Sequence, residues 1–137
     1  DFLPTFATLA GAEIPENLEL DGADVSPLLA GESFEREKPL LWLYFRAINN
    51  AKVSMRVGDR KVLAGFADLG KFPNVDRSNE AEVLDAELAD FEVYDLALDP
   101  TESAPLDPTE SPLPDQLRSR FNELRADFHI WPVPNPR

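Results

Sequence analysis

Lys52-Val53-Ser54-Met55-Arg56-Val57-Gly58-Asp59-Arg60-Lys61-Val62-Leu63-Ala64 is the stretch that decides the fold. Val53, Met55 and Val57 alternate with Lys52, Ser54 and Arg56, the period of a strand with one apolar and one wet face. Gly58-Asp59 is a two-residue, Gly-first loop of the type II′ kind, whose twist suits two antiparallel strands. The pattern predicts a hairpin in which Arg60 to Ala64 returns against Ala51 to Val57.

Outward from the hairpin, Leu40-Leu41-Trp42-Leu43-Tyr44-Phe45 is an unbroken apolar run, read as a strand buried on both faces and central in its sheet; Trp42 and Trp131 are of the type that stacks a sugar, but Trp42, inside this run, reads as core. Phe91 to Leu96 reads as a further strand, ended by Asp99-Pro100. Ser78 or Asn79 is placed to cap a helix over Glu80 to Ala89, with Val83, Leu84 and Leu88 inward. Asp-Pro-Thr-Glu-Ser occurs twice, at 99–103 and 107–111, too few copies for a repeat architecture. Ser111-Pro112 opens a last helix with Leu113, Leu117, Phe121, Leu124 and Phe128 on one stripe, Asp115 near its start and Arg125 near its end. The tail His129-Ile130-Trp131-Pro132-Val133-Pro134 reads as extended.

At the other end, Asp1 is placed to cap a short helix closed by Gly11, in which Phe2, Leu3, Phe6, Leu9 and Ala10 leave little for water. Such a helix needs cover on most sides, so the chain reads as a segment that something precedes. Leu20-Asp21-Gly22 is a turn in which Gly22 suits a positive φ, and Ser26 to Gly31 gives one more helical turn. The expected fold is α+β: a small antiparallel sheet of three to four strands packed against a C-terminal helix, with an N-terminal helical arm. The arm is residues 1–31 and the sheet-and-helix subdomain residues 32–137.

The sequence holds 26 acidic and 13 basic residues, a formal charge of −13, which repels phosphate backbones and anionic headgroups. No run approaches the roughly 18–20 apolar residues of a membrane span. Neither nucleic acid nor a membrane is an expected partner. With no cysteine there is no disulfide, no thiolate metal ligand and no cysteine nucleophile.

Several of these segments, in order, resemble the C-terminal part of type I sulfatases of the alkaline-phosphatase-like superfamily. Asp1-Phe2-Leu3-Pro4-Thr5 with Leu9-Ala10-Gly11 resembles the helix that closes the family's catalytic domain. Leu20-Asp21-Gly22, Pro27-Leu28-Leu29-x-Gly31 and Arg36-Glu37-Lys38-Pro39-Leu40 resemble the landmarks that lead into its small domain. Met55-Arg56-x-Gly58-Asp59-Arg60-Lys61-Val62-Leu63 is similar to the family hairpin, with Arg60 where Trp or Tyr is usual. Phe91-Glu92-Val93-Tyr94-Asp95-Leu96-x-x-Asp99-Pro100-x-Glu102 is similar to the Tyr-Asp-Leu strand and turn, after which the second Asp-Pro-Thr-Glu-Ser departs from the family. The nearest subgroup by resemblance is the bacterial arylsulfatase-A-like proteins.

The resemblance implies a parent enzyme that hydrolyses sulfate esters with calcium and a formylglycine made from Cys or Ser in a Cys/Ser-x-Pro-Ser-Arg motif. It implies a periplasmic or extracellular address and, as partner, an upstream catalytic domain of the same protein. That motif is absent here, and neither Ser26-Pro27 nor Ser111-Pro112 completes it. The expectation is a non-catalytic subdomain with no catalytic residue, metal ligand or cofactor of its own, inactive alone and prone to self-association through the arm. His129 with Ser111 or Ser119 lacks a nucleophile-elbow pattern, and the acidic pairs Asp85 with Glu87 and Asp107 with Glu110 lack a calcium-loop pattern. Arg46, Asn49, Asn50 and Lys52, between the first two strands, are the candidate contacts to an anionic substrate. The competing reading is an independent acidic ligand-binding or interaction module.

Overall fold

The computed structural model describes residues 1–18, 20–44, 52–67 and 80–125, and these fall into two units, Asp1–Pro39 and Leu40–Arg137. The first contains α1 (Phe2–Ala10) and α2 (Ser26–Leu29). The second contains β1 (Leu40–Tyr44), β2 (Lys52–Val57), β3 (Arg60–Phe66), α3 (Glu80–Asp85), β4 (Leu88–Asp95), a 3₁₀ turn (Pro108–Glu110) and α4 (Leu113–Arg125). The architecture is α+β, with a four-stranded antiparallel sheet, a C-terminal helix and an N-terminal helix.

In the first unit, two sequence motifs interlock. Asp1 stands at the N-terminus of α1, yet its carboxylate makes no cap bond. Instead Oδ1 accepts the Ala23 N–H at 2.9 Å and Oδ2 pairs with the Arg36 guanidinium. Thr5, 1% exposed, donates its hydroxyl to the Asp1 carbonyl at 2.8 Å and accepts the Val25 N–H at 2.9 Å. Asp24 accepts the Ser26 N–H at the start of α2, and the bonds from Ser26 and then Thr8 hold its carboxyl below the usual range. Gly22 does not take the positive φ expected of it. It is needed for close approach: a Cβ there would lie 2.6 Å from the Asp1 backbone nitrogen. Phe2, Leu3, Phe6 and Leu9 of α1 are between 57% and 78% exposed.

In the second unit the strands lie in the order β1-β2-β3-β4, each antiparallel to its neighbour. The hairpin is as expected: Val57 pairs with Arg60 across Gly58-Asp59, and Gly58 takes φ 56 where a residue with a Cβ would be strained. Arg60 stands opposite Asp95 and pairs with it at 3.0 Å.

Two further expectations, both in the second unit, are corrected. Among the described residues β1 is an edge strand, not a central one: it pairs there with β2 alone, and Trp42 and Tyr44 are 45% and 61% exposed while Leu41 and Leu43 pack on the core. The helix expected over 80–89 stops at Asp85, and Leu88-Ala89 already belong to β4, paired with Phe66 and Gly65. Ser78, Asn79 and the 126–137 tail, with Phe128 and His129, lie outside the described residues, as do the side chains of Val83 and Leu84.

The reason Leu88 joins the strand is parity. Side chains alternate faces, so a regular strand would send Leu88 to the opposite side from Phe91 and Val93. The register slips between Leu63 and Gly65, where β4 carries one extra residue and Asp90 takes φ 51. Leu88 and Val93 thereby share one face with Val53, Met55, Val62 and Ala64, and Phe91 packs on them. Leu113, Leu117 and Phe121 of α4 cover that face; Leu117 is fully buried and Phe121 meets Phe66 edge-on at 5.7 Å. Burying a Leu side chain in this way contributes about 1.5–3 kcal/mol. Arg118 lies over the Phe91 ring at 4.3 Å, closing the rim.

The doubled motif joins β4 to α4 by two similar carboxylate locks. Asp99 accepts the Ser103 and Ala104 N–H groups at 2.7 and 2.8 Å and the Thr101 hydroxyl at 2.8 Å. Asp107 accepts the Thr109 N–H and hydroxyl at 2.8 and 2.7 Å, capping the 3₁₀ turn. These bonds hold both carboxyls below the usual range, led at Asp99 by the Ala104 N–H and at Asp107 by the Thr109 hydroxyl. Between the locks, Leu106 bridges to Val93.

Tyr94, 5% exposed on the sheet face away from α4, donates to Glu92 Oε2 at 2.6 Å. That bond first, then burial and the charges of Glu92, Glu102 and Asp99, push its phenol up to about 12. Because the folded pKa is raised, the stabilisation is complete below the unfolded value near 10 and is lost as pH rises through about 12. An alkaline titration followed at 295 nm is expected to show a tyrosine step near pH 12 that Tyr94→Phe removes. In the first unit, Gly22→Ala is expected to cost about 1–3 kcal/mol by overpacking. Hydrogen exchange checks it: the Ala23 and Val25 amides lose protection while the β2 and β3 amides keep theirs.

Candidate functional site

The sheet face opposite α4 carries polar side chains from every strand. Read across the register, one row is Leu40, Arg56, Lys61 and Tyr94; the next is Trp42, Ser54, Leu63 and Glu92; Tyr44 stands beside Lys52. Adjacent strands are about 4.8 Å apart and alternate residues about 6.5–7 Å apart along a strand, so these groups converge on one small patch.

Of the residues expected to meet an anionic substrate, Arg46, Asn49 and Asn50 lie outside the described residues. Lys52 is on β2, at the end of the patch beside Tyr44, with its ammonium 3.6 Å from Glu92 Oε1. Trp42, read from the sequence as core, and three groups that the sequence did not single out, Tyr44, Arg56 and Lys61, complete the patch. They line a cleft of about 370 Å³ with Ser54, Leu96 and Glu102. Lys61 is fixed by both oxygens of Glu102 at 2.6 and 2.8 Å, and Glu102 itself holds φ 54 beside the Asp99 lock. Arg56 donates Nε–H to the Gly58 carbonyl at 2.7 Å, and its Nη2 is 3.6 Å from Asp59, so that ion pair is loose. The signal for this patch was present in the apolar run: aliphatic Leu41 and Leu43 alternate with Trp42 and Tyr44, each of which carries a polar handle.

A second depression, of about 600 Å³, lies where Val57 and Arg60 meet Leu106, Asp107, Glu110 and Gln116. Its one cation, Arg60, is paired with Asp95, and its rim is acidic. Ser111 accepts the Leu113 N–H at 3.3 Å at the start of α4, and Ser119 is exposed on that helix. Among the described residues, no three His, Cys, Asp or Glu side chains come together as metal ligands would. The described residues thus present no such ligand set, and the sequence has no Cys/Ser-x-Pro-Ser-Arg motif.

No protein-family model matches the chain. Among curated proteins, arylsulfatase A of Bos taurus is 31% identical over 134 residues, covering 93% of this chain and 26% of that protein. Human arylsulfatase A is 34% identical over 106 residues, 75% of this chain and 20% of that one. Human steryl-sulfatase is 45% identical over 51 residues, 37% of this chain and 9% of that one. Among solved structures, that of BT4656 in complex with its substrate D-glucosamine-2-N,6-O-disulfate matches with a TM-score of 0.53 at 20% identity, covering 93% of this chain and 23% of that one, a likeness of fold. The chain thus spans about a quarter or less of the length of the proteins it matches. Ordered motifs, a four-stranded sheet closed by α4 and a match to arylsulfatase A along nearly the whole chain agree: this chain belongs to the sulfatase family, as a C-terminal region of it.

Proposed function

We propose that this chain is the non-catalytic C-terminal subdomain of an arylsulfatase-type sulfuric ester hydrolase, packed on an upstream catalytic domain of the same protein. The observation that carries the reading is a likeness to arylsulfatase A through 93% of the chain in a sequence with no Cys and no Cys/Ser-x-Pro-Ser-Arg motif. A nucleophile, its activation and a metal are the parts that sulfate ester cleavage needs; the sequence lacks the motif for the first two, and the described residues offer no ligand set for the third. Calcium and formylglycine belong to the upstream domain, and no step of the reaction runs through this chain's residues. Its part is to complete the fold and, through Arg46, Asn49, Asn50 and Lys52, to rim the substrate cleft.

Two features support docking of the first unit on a larger body. The apolar side chains of α1 stand open to solvent, a surface that isolated domains rarely tolerate. Arg36, held by Asp1, keeps a buried Nη1 with no hydrogen-bond partner, a donor that lacks an acceptor. A bacterial parent, periplasmic or extracellular, agrees with the subgroup resemblance, and the lack of cysteine suits it better than a disulfide-bearing lysosomal one.

Assayed against an aryl sulfate and sulfated sugars with calcium present, the 137-residue chain is expected to give no turnover above buffer. Measurable hydrolysis, lost on mutation of a residue of this chain, would sink the reading. Light scattering is expected to find the chain self-associated, with Phe2→Ser/Phe6→Ser shifting it toward monomer. A compact monomer in which the α1 amides are protected from exchange would count against a docked arm.

A further inference from the structure

The open sheet face is aromatic at one side and balanced in charge. Trp42 and Tyr44, two residues apart on β1, are 45% and 61% exposed, whereas large aromatics are ordinarily covered. Each cation beside them is matched by a carboxylate: Lys52 by Glu92, Arg56 by Asp59 and Lys61 by Glu102. Such a surface asks for no charge in what covers it. It asks for apolar groups to lie on the rings and for acceptors to meet an indole N–H and a phenol.

The sequence holds a segment of that make-up. Pro132-Val133-Pro134-Asn135-Pro136 has no ionisable side chain, and its alternate prolines favour polyproline II, a conformation largely ordered before binding that leaves its carbonyls open. Aromatic-lined grooves take segments of this kind. Its place in the chain also puts it within reach. Residues 126–137 follow α4 and lie outside the described residues. α4 starts at the hairpin end of the sheet, where Leu113 lies near Val57 and Arg60, and finishes at the other end, where Phe121 meets Phe66 and Arg125 donates to the Ala86 carbonyl at 3.4 Å. Tyr44, opposite Lys52, stands at that same finishing end. α4 packs on β3 and β4, so the way to β1 is about 10 Å across two strand spacings and about 15 Å from the helix layer to the open face, a path of about 25 Å at most. At about 3.1 Å per residue, the chain from Arg125 to Pro132 spans about 22 Å and that from Arg125 to Pro136 about 34 Å.

We propose that this face is an internal docking site: the proline-rich run 132–136 of the same chain lies across Trp42 and Tyr44, its rings on the aromatic faces and its carbonyls accepting from the Trp42 N–H and the Tyr44 hydroxyl. The cleft there, about 370 Å³, suits a short extended segment. The run then works as a strap that ties β1, which among the described residues pairs with β2 alone, to the end of α4. The inference stands apart from the sulfatase reading, since none of its outcomes depends on hydrolysis or on an upstream domain.

The test uses the full 137-residue chain with Phe2→Ser/Phe6→Ser, to keep the arm from joining copies, and Trp131→Phe, which leaves Trp42 as the sole tryptophan. Trp42 is expected to emit at shorter wavelength, and to be quenched less by acrylamide, than in the same chain carrying Pro132→Gly/Pro134→Gly/Pro136→Gly, where both effects are lost. The chain has no cysteine, so a pair can be introduced without background. Ser54→Cys, in the cleft, with Val133→Cys is expected to close a disulfide within one chain faster than Gln116→Cys, in the other depression, with Val133→Cys. Circular dichroism melts establish that each variant is folded; should the glycine variant fail to fold, the cysteine pairs decide. Three results would overturn the proposal: equal emission and quenching with and without the glycines in folded chains; a Ser54→Cys/Val133→Cys pair that closes no faster than its control; or closure between chains only, which makes a second copy the occupant.

Discussion

The sheet of the second unit has one covered face, and the contact that covers it is the stripe Leu113, Leu117 and Phe121 seated on Val53, Met55, Val62 and Val93. A four-stranded sheet of this size has too little apolar side-chain area to seal both faces from water, so its strands must agree on one. That agreement is what the bulge at Asp90 provides. By adding one residue it returns Leu88 to the same side as Val93, and it does so at an Asp, among the few residue types that tolerate a positive φ. The remaining face is then free to hold polar and aromatic groups, and it does: the Lys61–Glu102 pair, the Tyr94–Glu92 bond and the exposed edge aromatics all lie there.

In the first unit the family landmarks acquire a physical meaning. The Asp-x-x-Pro-Thr stretch and the Leu-Asp-Gly turn are 20 residues apart in the chain, yet they form one hydrogen-bonded clasp in which the hydroxyl of Thr5 both donates and accepts. Backbone N–H groups of an irregular loop find side-chain acceptors, as buried backbone must. Gly22 is part of the clasp because the Asp1 backbone passes where a Cβ would be. The same unit leaves the apolar side chains of α1 unburied, which is why its stability and its docking are read together.

Arg60 and the doubled motif are both accommodated by charge. Arg60 makes an ion pair with the residue directly opposite, Asp95. At 52% exposure such a pair contributes little to stability, about 0–1 kcal/mol, so it serves to satisfy the guanidinium rather than to hold the hairpin. The second Asp-Pro-Thr-Glu-Ser repeats the lock made by the first, an Asp carboxylate capping the N–H groups that follow it, and so ends one turn and starts the next before α4.

What the sequence determined by itself was whatever rests on neighbours along the chain. The hairpin at Gly58-Asp59 and the stripe of α4 were legible because alternation, turn chemistry and helical spacing are local. The absence of cysteine and of a Cys/Ser-x-Pro-Ser-Arg motif was legible because it needs only the residue types present. Tertiary structure decided the rest. An apolar run cannot say whether its strand has one neighbour or two, so β1 reads as central although among the described residues it is an edge, and Trp42 reads as core although it faces out. Residues 86–89 have helical composition, but pairing of Leu88 with Phe66 recovers backbone hydrogen bonds and core burial that an isolated helical turn could not. Asp1 was placed to cap a helix and instead binds two segments 22 and 35 residues away, because a carboxylate goes to the strongest donors in reach and only the fold determines which those are.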